Sequence, residues 1–157
     1  MALLRFSYLY RDASNYKNAG EVLLRAQGDA DVEAIEERLR KTLDDGEYFI
    51  ASQVGVPEVF LWSAEADYDP DDEETFPDDL GPGKYVVSDD DHSWHEFSCL
   101  EAIDAEAVSP DDRKAAREIG EFLAAFERAA KRGWKPFEPG LPAFARGGFE
   151  KPDALEP

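Results

Sequence analysis

The two histidines of this chain stand three residues apart, in the run Asp91-His92-Ser93-Trp94-His95-Glu96. On a helix such a pair shares one face and can chelate a metal. Here the surroundings read as a turn running into a strand, where odd spacing sends side chains to opposite faces. His95 is then expected to point inward with Phe97 and Cys99. His92 is expected to lie exposed in the turn, beside Asp89, Asp90 and Asp91. A second carboxylate pattern, Asp67-x-Asp69-x-Asp71, resembles the opening of a calcium loop. It departs from one at Pro70, at Asp72, where a sharp turn needs glycine, and at Asp78, too short for a bidentate Glu. No metal site is expected from either cluster. The loop holding Arg11, Asp12, Asn15, Tyr16, Lys17 and Asn18 has the side chains to grip a phosphate or carboxylate. No glycine-rich phosphate loop or positioned nucleophile and base accompanies it. Cys99 has no basic neighbour to lower its pKa and reads as a buried, inert thiol.

The charge is far from balanced: 17 Lys+Arg stand against 36 Asp+Glu among 157 residues, a net −19. Residues 65–91 contain twelve of the acids and one base, Lys84, so about a sixth of the chain carries −11 and the rest −8. Clustering on that scale points to a local cause rather than uniform acidity. The sign argues against nucleic acid as a direct partner. A single cysteine excludes a disulfide framework and suits a reducing compartment. No apolar run approaches the ~20 residues of a membrane span, and the first residues lack the pattern of a signal peptide.

Alternation predicts a strand over 3–10, with Leu4, Phe6, Tyr8 and Tyr10 on one face. A second strand over 20–26 completes a net basic hairpin. Asp29 or Asp31 caps a helix reaching about Leu43, and Tyr48–Val54 reads as a strand. Val59–Trp62 reads as a short apolar strand, Lys84–Val87 and Trp94–Leu100 as two more. Ser109, Pro110 and the acids after them open a long helix ended by Gly133. Its buried stripe is Ala115, Ile119, Phe122, Leu123, Phe126 and Ala130. The expected fold is α+β, an antiparallel sheet of about five or six strands with two amphipathic helices packed on one face. Residues 1–133 form one domain with a mobile acidic loop at 65–91, and 134–157 a Pro/Gly-rich tail.

The blocks YRDASNYKN (10–18), GEVLL (20–24), DDGEYFIASQVGVP (44–57) and DHSWHEF (91–97) resemble a group of small acidic bacterial proteins with no assigned activity. That resemblance implies a bacterial, cytoplasmic protein and transfers no catalytic residue.

These readings converge on a non-enzymatic intracellular interaction module with no cofactor and no membrane contact. Asp67, Asp69, Asp71, Asp72, Glu73, Glu74, Asp78 and Asp79 would face a basic protein partner, with Phe76 as an aromatic anchor beside Trp62 and Tyr68. An inhibitor, an immunity-type protein or a nucleic-acid mimic would act this way. The alternative is a small-molecule or phosphate binder, or a cryptic enzyme, built on Arg11, Asn15, Lys17 and His92. That alternative expects a concave pocket beside residues 11–18.

Overall fold

A computed structural model describes residues 2–61 and 89–139. Strands β1 (Ala2–Arg11) and β2 (Lys17–Ala26) form the expected hairpin, in register from Ala2 opposite Ala26 to Arg11 opposite Lys17. Helix α1 (Val32–Arg40) starts at Asp31, whose carboxylate accepts the Ala34 N–H at 3.1 Å. Then come β3 (Tyr48–Phe49), β4 (His95–Ile103), α2 (Pro110–Ala115), β5 (Arg117–Glu118) and α3 (Ile119–Arg132). The described strands make one sheet in the order β3-β4-β1-β2-β5. The fold is α+β, but the sheet is mixed rather than antiparallel, because β5 runs parallel to β2.

That parallel strand exists because the single long helix expected over 109–133 is broken. Ala116 leaves helical geometry at ψ 135° and is buried, and Arg117 donates to the Val54 carbonyl at 3.0 Å. Glu118 then caps α3 by accepting the Glu121 N–H at 2.8 Å. The two backbone N–H groups of Gly120 and Glu121 hold the Glu118 carboxyl below its usual range. Phe122, Leu123, Ala125, Phe126 and Ala129 form the buried side of α3, whereas Ala115 is exposed on α2.

Two further strands are shorter or absent. The one expected over 48–54 ends at Phe49, and Ala51–Gln53 is a turn of 3-10 helix. Residues 57–61 are irregular in place of the strand expected over Val59–Trp62, and residues 62–88, with the strand expected over Lys84–Val87, lie outside the described residues.

Phe6 sits at the centre of the core, wholly buried. Its ring lies 5.0 Å from Phe122, 5.4 Å from Phe97, 5.6 Å from Tyr8 and 5.9 Å from both Phe49 and Phe126. Several pairs meet edge to face, the arrangement the ring quadrupole favours. Tyr10 continues the same face of β1 into a second cluster with Phe60 and Leu61.

Gly20 is opposite Tyr8 in the hairpin, and the two are in close contact. A Cβ at position 20 would lie 2.7 Å from the Tyr8 ring and 2.9 Å from Val59 Cγ1. The ring cannot swing away freely, because its hydroxyl is held on the Pro57 carbonyl at 2.6 Å. Gly20→Ala should therefore lower the unfolding free energy by about 1–3 kcal/mol. Urea unfolding followed by circular dichroism reads this as a lower midpoint at constant slope. An unchanged midpoint would show that Tyr8 yields without cost.

Candidate functional site

The loop between β1 and β2 is held by its own side chains and by a distant part of the chain. Asp12 accepts the Tyr16 N–H on its carboxylate at 2.9 Å, and Asn15 turns the backbone with φ 69°. Residues 90–92 close over this loop. The Ala13 N–H donates to the Asp90 carbonyl at 3.0 Å, and the Ser14 hydroxyl to the Asp90 carboxylate at 2.6 Å. His92 Nε2 lies 2.6 Å from the Arg11 carbonyl, while His92 Nδ1 accepts the Trp94 N–H at 3.1 Å. Those roles specify the neutral tautomer with its proton on Nε2. His92 is half-buried rather than exposed.

Arg11, Asn15 and His92, picked out for their chemistry, are thus brought together. Arg11 spans Glu96, at 3.1 Å from Nε and 3.3 Å from Nη2, and the Asn15 amide oxygen, at 2.6 Å. Lys17 stands opposite Arg11 in the ladder and is exposed. Like charges directly opposite repel, and Glu96 on the other flank of β1 draws the Arg11 guanidinium away. Hydrogen bonds within the fold occupy Arg11, Asn15 and His92, three of the four groups that a phosphate or carboxylate would need. An open cavity of about 600 Å³ lies at the far end of β2, lined by Arg25, Ala26, Gln27, Gly28 and Glu118. It is remote from the loop at 11–18.

The residue that composition and spacing did not single out is Tyr10, expected only as core. It is wholly buried, and its hydroxyl donates to the Asp91 carboxylate at 2.5 Å. Its ring lies 5.2 Å from Phe60 and 5.1 Å from His92. One side chain therefore touches the chain on both sides of residues 62–88, the ingoing part at 57–61 and the outgoing part at 90–93. The ingoing end has further ties. Asn18 donates to the Val59 carbonyl at 3.0 Å, and Val59 donates its N–H to His95 Nε2 at 3.0 Å. At the outgoing end the buried Ser93 hydroxyl accepts the Phe137 N–H at 3.1 Å.

His95 and Phe97 point inward as alternation predicts, but Cys99 is exposed. A bulge opposite Ser7 and Tyr8 inserts one residue into β4, so the inward position passes to Leu100. Among the described residues no group of three or more His, Cys, Asp or Glu is placed to hold a metal. Asp67, Asp69, Asp71, Asp72, Glu73, Glu74, Phe76, Asp78 and Asp79 all lie outside the described residues.

Burial pushes the Tyr8 phenol up to about 12, and raises Tyr10 as well, where the Asp91 carboxylate adds to the effect. Both groups favour their neutral form in the folded state, so the stability they contribute is complete below pH ~10 and falls as the pH climbs above it. For Tyr8 alone the loss amounts to about 2 kcal/mol by pH ~12. Absorbance near 295 nm should show Tyr8 and Tyr10 ionising only as the protein unfolds. Six tyrosines titrating together with the fold intact would contradict the burial of these phenols.

Among the described residues no helix is long and apolar enough to cross a membrane. No protein-family model, curated protein or solved structure matches this chain.

Proposed function

We propose that this chain is a non-enzymatic interaction module that offers its acidic segment, 65–91, to a basic protein surface. An inhibitor, an immunity-type protein and a nucleic-acid mimic all work in this way. The observation that carries the reading is that the chain leading into the segment and the residue that ends it meet on Tyr10, with Phe60 on one side and Asp91 on the other. Fixing the two ends at one place limits the freedom that binding must remove. Concentrated carboxylates supply the rest, raising the encounter rate with a basic partner by about 10–10³-fold at low salt. The aromatic residues within or beside the segment, Trp62, Tyr68 and Phe76, would anchor the contact. Arg11, Asn15 and His92 bond within the fold, which leaves the phosphate-binding alternative with little support.

The test compares the full chain with a variant in which Asp71, Asp72, Glu73 and Glu74 are replaced by Asn and Gln. Both serve as bait in a nuclease-treated lysate of the native host. A basic protein retained by the unaltered chain and lost by the variant, at equal melting temperature, is the expected result. With that partner purified, association should slow about tenfold or more in the variant and in high salt. Equal recovery on both baits would remove the acidic segment from the interface.

A further inference from the structure

We propose that His95 is an acid-sensitive latch on residues 57–61, closed while its imidazole is neutral and opened when it takes up a proton. The inference is independent of what the acidic segment binds. The His95 side chain is 1% exposed, ringed by Tyr8 at 6.0 Å, Tyr10 at 5.9 Å, Phe49 at 6.0 Å and Phe60 at 4.7 Å. Its Nε2 accepts the Val59 N–H at 3.0 Å. An imidazole nitrogen accepts only when it bears no proton, so the closed latch requires the neutral ring with its hydrogen on Nδ1. Protonating Nε2 sets one N–H against another and places a charge among aromatic rings. The bond that holds Val59 is then gone.

Among the described residues, the groups facing His95 do not replace that bond. From β1 it meets the phenols of Tyr8 and Tyr10, the second carrying the Asp91 carboxylate on its hydroxyl. From β3 it meets Phe49, and from 57–61 it meets Phe60, with the exposed Glu58 alongside. On β4 itself Glu96 is turned to the other face and bound to Arg11. Asp91 eases the charge of an imidazolium one phenol away, but it cannot give Nε2 back its lone pair. The Val59 backbone must then turn to water, which requires Phe60 and Leu61 to leave their cluster with Tyr10.

Amide hydrogen exchange of the full chain, measured by NMR between about pH 7.5 and 4.5 and corrected for intrinsic rates, tests this. Protection at Val59 should fall about tenfold per pH unit below pH ~6.5, where a free histidine charges. Phe126, in the middle of α3, should stay better protected than Val59 throughout. Long-range nitrogen spectra at pH ~7.5 should show His95 as the Nδ1–H tautomer. In His95→Gln the amide oxygen accepts the Val59 N–H without titrating, so the fall should disappear. Should that variant not fold, His92→Asn decides, because the fall must persist when His95 is the only histidine left. Level protection at Val59, protection at Phe126 no higher than at Val59, a fall that survives in His95→Gln, or one abolished by His92→Asn would each overturn the latch.

Discussion

A phenol taken wholly out of water must donate its hydrogen bond to an acceptor, and β1 carries two such phenols in succession. Tyr8 donates its hydrogen bond to the Pro57 carbonyl and Tyr10 to the Asp91 carboxylate. Leaving either hydroxyl unsatisfied would cost about 1–3 kcal/mol. The acceptors come from sections of chain 34 positions apart, so satisfying this one strand draws both sections onto it. The inner face of β1 thus grades from the apolar centre at Phe6, through Tyr8 at its margin, to Tyr10 among polar groups. The hairpin loop, the two histidines and the ends of the acidic segment are arranged around the polar end.

The basic character of the hairpin is largely neutralised by its neighbours. Arg5 meets Glu21 and Glu101, and Arg11 meets Glu96, across the outward face of the sheet. Half-exposed pairs of this kind add little to stability. Their effect is on the field around the protein: the charges of Arg5 and Arg11 are already matched by carboxylates, while Lys17 stays exposed.

Period-two and period-3.6 patterns made β1, β2, α1 and β4 legible, because each element's burial follows from its own neighbours in sequence. The breaks were not legible. Nothing local in Ala115-Ala116-Arg117 ends a helix; Arg117 does so by reaching the carbonyls of Val54 and Gly55, far away in the chain. The bulge that reversed the expectation for Cys99 likewise arises from pairing with Ser7 and Tyr8. Arg11, Asn15 and His92 were recognisable as an unusual group, and the structure does gather them. Their bonding is internal, a distinction that depends on the position of Glu96 and of the Arg11 carbonyl. Tyr10 gave no signal apart from its place in an alternating strand, since an inward tyrosine looks the same whether its hydroxyl has one partner or several.

The bulge in β4 also has a stoichiometric consequence. It turns the only thiol of the chain outward, at Cys99, on the side of the sheet away from Phe6. A chain with one accessible sulfur can be joined to another copy once and no further. Oxidation therefore ends at a covalent pair, without the networks that two exposed cysteines permit. Each such pair would unite two bodies of charge −19, so mutual repulsion opposes even that single link, most strongly at low ionic strength.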